Sequence, residues 1–193
     1  MRLFTILKIN REDIKQYNMI NIFVIKWIGP FFSIEDLKEW EKFYNQDYIF
    51  NFYIITGKLK GKRLITKYCG ITDTQRGYIH SRFYDKKHKV QNLSRETNIW
   101  IGCLTDQSLR TRENLELCET MIISFWQPEE NTKKRAYYPS NPMVLINRWF
   151  DTKNKLRINA KYPSQELSDV IIYDELNKGI YGTERLKKLV NIA

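Results

Sequence analysis

The hydrophobic residues alternate between short β-rich runs and amphipathic helical stretches. Runs of Val, Ile, Phe and Tyr bounded by glycine, proline or charged residues are typical of strands, whereas apolar residues three and four apart predict helices. Ser33, with Asp36 three residues on, has the pattern that begins a helix. The predicted elements are a strand over 21–28 that ends at Gly29-Pro30, a helix from Ser33, a hairpin over 48–70, a helix over 74–87, a strand over 98–104 and a helix over 109–125.

After the first strand and helix, this order is β-β-α-β-α, which predicts an α/β (α+β) fold. The C-terminal part is less regular: 170–173 fits either a strand or a helical turn, and 183–190 fits a short basic helix. With 193 residues and 42% hydrophobic residues, the chain is long and apolar enough for one domain with its own core. We therefore expect residues 1–193 to form a single domain.

Charge narrows the range of partners. The chain has 32 Lys and Arg against 22 Asp and Glu, a net charge of +10. A basic surface favours a polyanionic partner, because neutralised phosphates release their condensed counterions. The excess of basic residues favours nucleic acid as the partner. The alternative is a basic protein that has no role in nucleic-acid binding.

The cysteines indicate a reducing compartment. Cys69, Cys103 and Cys118 are scattered singly, in no zinc-binding spacing, and their number is odd, so we expect buried free thiols. The N-terminus is too short and too polar for a signal peptide. No apolar run approaches the roughly 20 residues that span a bilayer. These features lead us to expect a soluble cytoplasmic protein.

Four separated pieces in the middle of the chain carry the polar and aromatic residues that are candidates for a functional site. A hairpin begins and ends with a tyrosine, the next helix has arginine and histidine, and a later helix has a glutamate within an apolar stretch. A carboxylate in such a stretch is costly unless it has a partner or a metal. The pieces are Asn51-Phe52-Tyr53, Tyr68-Cys69-Gly70, the helix with Arg76, His80 and Arg82, and Glu119 followed by Pro128-Glu-Glu-Asn131.

Together these pieces, over about residues 50–131, resemble the GIY-YIG nuclease family. The resemblance implies a small antiparallel or mixed three-stranded sheet flanked by helices, with residues 1–49 and 132–193 as extensions. Asn51 stands where the family has its first glycine, and Cys69 stands where it has isoleucine. Neither departure removes a reacting group.

The resemblance also assigns roles. Glu119 is expected to hold one Mg²⁺ or Mn²⁺ ion, which keeps several waters and takes its remaining ligands from phosphate. Tyr53 or Tyr68 is expected to position or deprotonate the attacking water, although a free phenol is a weak base near neutral pH. Asn131 is expected to support the site through hydrogen bonds.

An arginine is expected to pair with the phosphate oxygens, because its planar guanidinium matches their geometry. We favour Arg82, whose distance along the chain to Glu119 is typical of the family. Arg76 and His80 remain alternatives, since residues four apart share one helix face.

Basic residues in the hairpin turn, after the arginine helix and after Asn131 are expected to contact the nucleic-acid backbone, with neighbouring tyrosines available for stacking. They are Lys58, Lys60, Lys62, Arg63, Lys67, His88, Lys133, Lys134 and Arg135.

The preferred interpretation is a stand-alone, restriction-type endonuclease acting on double-stranded DNA, dimeric if it cuts both strands of a palindrome. The extensions are expected to shape substrate recognition or dimerisation. The alternatives are a non-catalytic nucleic-acid-binding module of the same fold, an RNA-directed nuclease or toxin, and an unrelated basic α/β interaction protein.

Overall fold

The computed structural model describes residues 20–44, 49–72, 78–85, 88, 91, 93–157, 167–175 and 178–183. These residues form a mixed α/β structure. The strands are β1 Asn21–Phe31, β2 Phe52–Leu59, β3 Ile65–Ile71, β4 Leu93–Leu104, β5 Met143–Phe150, β6 Val170–Asp174 and β7 Gly179–Thr183. The helices are α1 Ile34–Tyr44, α2 Ile79–Phe83 and α3 Arg112–Trp126, and a 3-10 turn covers Gln107–Leu109.

One sheet joins all seven strands, in the order β3-β2-β4-β1-β5-β6-β7. Neighbouring strands run antiparallel except β1 and β5, which are parallel. β1 precedes the other strands in the sequence, yet it lies at the centre of the sheet. The hairpin of β2 and β3 lies at one edge, with Tyr53 directly opposite Gly70.

Helices cover both faces of the sheet, because the strands bury alternate residues on opposite sides. On one face, α3 packs its Cys118, Met121 and Ile122 against Ile54 and Cys69. On the other face lie α1 and α2, whose buried residues join the cluster that contains Tyr53 and Ile55. The hairpin therefore presents Tyr53 to α2 and Cys69 to α3.

A tryptophan and an asparagine connect the middle strands. Trp27 of β1 stacks on Trp149 of β5, with ring centroids 5.6 Å apart. Its indole Nε1 donates to Asn147 Oδ1 at 2.8 Å, and the Asn147 side chain donates to the Ser168 carbonyl at 2.9 Å. Because both side chains are buried, this pair satisfies polar atoms that water does not reach.

Several sequence-based expectations are confirmed. The general α/β class is right, and Ser33 Oγ accepts a hydrogen bond from the Asp36 N–H at 3.0 Å, as the capping pattern predicts. The helix expected over 109–125 is α3, which begins after Thr111, whose side chain accepts from the Asn114 N–H. Of the two options for 170–173, the strand is correct.

Other expectations need correction. The predicted number of three strands is wrong, because β2, β3 and β4 are part of a seven-stranded sheet. β1 does not end at Gly29-Pro30 but passes it at a bulge and continues to Phe31. A helix is expected over 74–87, and the described residues of this range are helical at Ile79–Phe83. The helix expected over 183–190 lies outside the described residues, except Thr183, which ends β7.

The three cysteines are free and buried, as expected. Burial raises the pKa of all three thiols, that of Cys103 to about 11, so they remain protonated at neutral pH. In the part of the chain that the structure describes, no helix has the length and apolarity to cross a membrane.

Replacing Asn147 with alanine should destabilise the fold. Asn147→Ala leaves the buried Trp27 N–H without its acceptor, and we expect the free energy of unfolding to fall by about 2 kcal/mol. Urea unfolding measures this loss. The control is Arg148→Ala, which truncates the exposed neighbour on the same strand and should cost less than about 1 kcal/mol. Equal losses in the two variants would show that the Trp27 hydrogen bond is unimportant.

Candidate functional site

The first hairpin tyrosine crosses directly over the glycine of the facing strand. Tyr53 is 2% exposed, and a Cβ added at Gly70 would lie 2.5 Å from the Tyr53 hydroxyl oxygen and 2.6 Å from Cζ. Any side chain at Gly70 would therefore displace the tyrosine. The Tyr-x-Gly motif has a steric cause, since the last residue must leave room for the ring of Tyr53.

Asn51 and Cys69, at the two ends of the hairpin, both fit their surroundings. Asn51 has no positive φ, so its backbone does not require glycine. Its side chain donates to the Thr72 carbonyl at 3.1 Å, and Thr72 N–H donates to the Asn51 carbonyl at 2.8 Å. These bonds extend the hairpin by one residue. Cys69 is fully buried and fills the apolar position with a smaller side chain.

Four residues form what we call the tyrosine cluster: Tyr53, Tyr68, Arg82 and His88. The ring centroids of Tyr53 and Tyr68 are 6.0 Å apart, and both rings contact His88. His88 Nε2 lies 3.2 Å from the Tyr53 hydroxyl. Tyr68 and Arg82 lie near enough to the Tyr53 hydroxyl to shift its pKa. The hairpin, α2 and the segment after α2 thus meet at one place.

Burial shapes the chemistry of this cluster. It raises the pKa of Tyr53 far above its ordinary value, and the neighbouring Tyr68 raises it further, while Arg82 acts in the opposite direction. Burial also raises the pKa of Tyr68, but there the hydrogen bond from Tyr53 lowers it. Both phenols are therefore neutral at physiological pH.

The structure distinguishes between the arginine and histidine candidates of the second helix. Arg82 belongs to the tyrosine cluster and remains exposed. His80 instead pairs with Glu41 of α1, with 2.5 Å between Nδ1 and Oε2. The Glu41 carboxylate also accepts the backbone N–H groups of Ile79 and His80. His80 thus helps to join α1 to α2, and Arg76 lies outside the described residues.

Glu119 has a partner of opposite charge. Its Oε2 accepts a hydrogen bond from Lys134 Nζ at 2.7 Å, and the two side chains are 13% and 28% exposed. Glu119 lies close enough to the edge strand to act electrostatically on Tyr68 and Cys69, raising the pKa of each. The carboxylate of α3 and the tyrosine of β3 therefore share one electrostatic environment at the sheet edge.

Asn131 fixes the segment after α3 to the edge strand. Its Oδ1 accepts from the Cys69 N–H at 2.9 Å, and its Nδ2 donates to the Cys69 carbonyl at 2.7 Å. The Glu130 N–H donates to the Lys67 carbonyl at 3.1 Å, and Glu129 Oε2 accepts from the Lys67 N–H at 3.0 Å. The segment thus forms hydrogen bonds with the backbone groups on the outer side of β3.

The basic residues expected to contact DNA lie in different surroundings. Lys60, Lys62 and Arg63 in the hairpin turn are exposed, as are Lys133 and Arg135. Arg135 Nε donates to Gln127 Oε1 at 3.1 Å. Partners within the protein are also found for the remaining four: Lys58 pairs with Glu96, Lys67 lies over the Trp126 ring, Lys134 pairs with Glu119 and His88 is buried in the tyrosine cluster.

Two carboxylates beside the site were missed by the sequence analysis. Glu41 caps α2, and Glu129 binds the backbone of β3. The Pro-Glu-Glu-Asn pattern contained Glu129, but only its pairing with a distant strand gives it a role. Among the residues that the structure describes, no group of three or more His, Cys, Asp or Glu gathers in a way that could hold a metal. A metal at this site would have Glu119 as its protein carboxylate.

The hairpin residues of the candidate site lie at the edge of the sheet. A cavity of about 460 Å³ opens elsewhere, and its described lining residues are Gly29, Pro30, Phe32, Asn98, Asp151, Thr152 and Arg157. Neither the tyrosine cluster nor Glu119 is among them.

His88 should make stability depend on pH. Burial, with Arg82 nearby, lowers its pKa from 6.5 to about 4. Between these values the unfolded chain binds a proton that the folded chain does not, so stability is lost as pH falls. From about pH 7 to about pH 5, we expect wild type to lose about 1 kcal/mol more unfolding free energy than His88→Gln. Urea unfolding at the two pH values measures this difference, and identical losses would contradict a buried neutral His88.

Comparison with known proteins found no match: no protein-family model, no curated protein and no solved structure matches the chain.

Proposed function

We propose that this chain is a metal-dependent endonuclease that hydrolyses DNA phosphodiester bonds with a GIY-YIG-like site. The observation that carries the proposal is the contact between the two hairpin tyrosines and His88, with Arg82 and Glu119 near enough to shift the pKa of Tyr68. These are the residue types that phosphodiester hydrolysis needs: a carboxylate for a metal, a cation for the phosphate and polar groups for the water.

The residues divide the work between them. Arg82 is exposed beside the tyrosines and binds the non-bridging oxygens of the phosphate. Tyr68, the more exposed of the two phenols, positions the attacking water, while Tyr53 and His88 hold Tyr68 and Arg82 in place. Glu119 fits a one-carboxylate metal site, because Mg²⁺ often binds through one or two carboxylates and completes its shell with water and phosphate. When bound, the metal stabilises charge on the phosphate and the leaving oxygen.

Lys134 has a place in this scheme. Its ammonium lies 2.7 Å from Glu119 Oε2, so it competes with a divalent cation for the carboxylate. Phosphate attracts the same ammonium. Binding of the substrate therefore draws Lys134 from Glu119 towards the phosphate and leaves the carboxylate for the metal.

A restriction-type enzyme on double-stranded DNA is the finer form of this proposal. The four strands outside the core hairpin and β4 widen the sheet well beyond what the catalytic residues need. They supply surface for recognition or for a second copy of the chain. The buried free thiols suit a reducing, cytoplasmic setting.

A second candidate is a non-catalytic nucleic-acid-binding module. The specific observation in its favour is the same ion pair, in which Lys134 already neutralises Glu119. Such a module would bind DNA with its basic residues and cut nothing. Cleavage activity separates the two candidates directly.

Glu119 should be indispensable for cleavage. With Mg²⁺ and supercoiled plasmid, we expect Glu119→Gln to cut at least about a hundredfold more slowly, because the metal loses its protein ligand. EDTA should also abolish cleavage by wild type. Glu116→Gln is the matched control, since Glu116 is exposed, lies one turn earlier on α3 and pairs with Arg112. It should cut like wild type.

Three results would count against this assignment. Plasmid that is bound but never cut by wild type would favour the non-catalytic module. Undiminished cutting by Glu119→Gln would remove the metal site. Cutting of RNA but not DNA in a parallel panel would turn the proposal into an RNA-directed nuclease.

Removing Lys134 should change the metal requirement. In Lys134→Ala we expect the Mg²⁺ concentration for half-maximal cleavage to fall about threefold to tenfold, because the competing ammonium is absent. The maximal rate should also fall, because a charge that contacts the phosphate is lost. A Mg²⁺ titration of cleavage measures both. Lys133→Ala, which removes an exposed charge from the adjacent position, should leave the Mg²⁺ requirement unchanged, and equal shifts in both variants would contradict the competition.

A further inference from the structure

The segment 131–138, which we call the post-helix loop, is held in place along its length. Asn131 is bound to the backbone of Cys69. Ser124 Oγ of α3 donates to the Lys134 carbonyl at 3.2 Å and also to the Tyr137 carbonyl. Gln127 Nε2 donates to the Arg135 carbonyl at 2.7 Å. A loop fixed by this many hydrogen bonds presents its side chains in a defined arrangement.

Two consecutive tyrosines of this loop are open to solvent. Tyr137 is 66% exposed and Tyr138 is 55% exposed. Tyr138 stacks nearly parallel on the buried Tyr173 of β6, with centroids 5.8 Å apart and 20° between the planes. The packed face orients the Tyr138 ring, and its exposure leaves the other face available. Such an oriented, open aromatic ring is what a stacking ligand requires.

Exposed cations lie on the same loop as these rings, and the carboxylates of Asp174 and Glu175 act electrostatically on Tyr173, on which Tyr138 stacks. Lys133 and Arg135 are exposed on the same loop, and the whole chain carries a net charge of +10. Open aromatic faces combined with basic side chains are the features by which proteins hold single-stranded nucleic acid, since bases stack on the rings and phosphates pair with the cations.

The same loop brings the tyrosines close to the proposed reaction centre. Lys134 contacts Glu119, and Tyr138 follows four residues later, so the two Cα atoms are at most about 14 Å apart. This distance corresponds to about four base steps of a stacked strand. A strand whose phosphate lies at Glu119 therefore has its neighbouring bases within reach of Tyr137 and Tyr138.

We propose that Tyr137 and Tyr138 form a stacking site for unpaired bases of the DNA strand next to the cleaved phosphate. The proposal rests on the proposed nuclease function and specifies that the DNA is locally unpaired at the cut. Bases within an intact duplex present only their edges, because their faces are covered by neighbouring pairs. Only an unstacked base can lie on a tyrosine ring.

The test measures binding without cleavage. Oligonucleotides carrying the fluorescent base 2-aminopurine, single-stranded or in a duplex, are titrated with protein in EDTA. We expect wild type to quench the single-stranded probe, and Tyr137→Ala and Tyr138→Ala each to weaken single-strand binding about tenfold. Binding to the duplex should change less than about threefold. Tyr138→Phe keeps the ring and should bind like wild type.

Tyr181→Ala is the matched control, because Tyr181 of β7 is also exposed, at 51%, but lies outside the post-helix loop. It should bind single strands like wild type. Thermal unfolding of each variant checks that the fold is retained. The proposal is overturned if the loop variants weaken single-strand and duplex binding equally, or if Tyr181→Ala has the same effect as they do.

The assay also separates this proposal from the nuclease function. Quenching that depends on the two tyrosines, in a protein that cuts no plasmid, supports the stacking site and rejects catalysis. Plasmid cleavage that requires Glu119, with no effect of the tyrosines on single-strand binding, supports the nuclease and overturns the stacking site.

Discussion

Two hydrogen bonds between the Asn131 side chain and the backbone of Cys69 hold the two halves of the candidate site together. An edge strand such as β3 has unpaired N–H and C=O groups on its outer side, and a buried group without a partner is costly. Asn131 satisfies one such pair with a single amide. The hairpin brings the tyrosines, and α3 with the loop that follows it brings the carboxylate and the lysine. Asn131, together with the bonds of Glu129 and Glu130 to Lys67, attaches one half to the other.

The polar groups at this edge differ in charge according to depth. Tyr53 and His88 are buried and remain neutral, since burial raises the pKa of the phenol and lowers that of the imidazole. Arg82, Glu119 and Lys134 lie closer to solvent. Tyr53 and His88 form a neutral, closely packed layer below the charged side chains and fix the positions of those side chains. This layer adds no further buried charge, whose desolvation would oppose folding.

Local patterns predicted the elements that depend on local interactions. The hairpin, the cap at Ser33 and helix α3 follow from turn residues, capping residues and helical spacing, and the aromatic and carboxylate residues of the site could be named from their order along the chain. The central place of β1 and its parallel pairing with β5 could not be predicted, because partner choice depends on residues far apart in sequence. Nor could the pairings of Lys134 with Glu119 and His80 with Glu41, which only the folded helices bring together.

The position of β1 has a consequence for the order in which the protein assembles during synthesis. β1 is made before its two neighbours, β4 and β5, which follow about 80 and about 120 residues later. Both of its edges therefore stay open until β4 is made, and one edge stays open until β5 follows. The β2–β3 hairpin, in contrast, can pair as soon as it emerges. The strand at the centre of the finished sheet is thus exposed to wrong partners for longest, so a chaperone that shields β1 would benefit the nascent chain more than one that assists the hairpin.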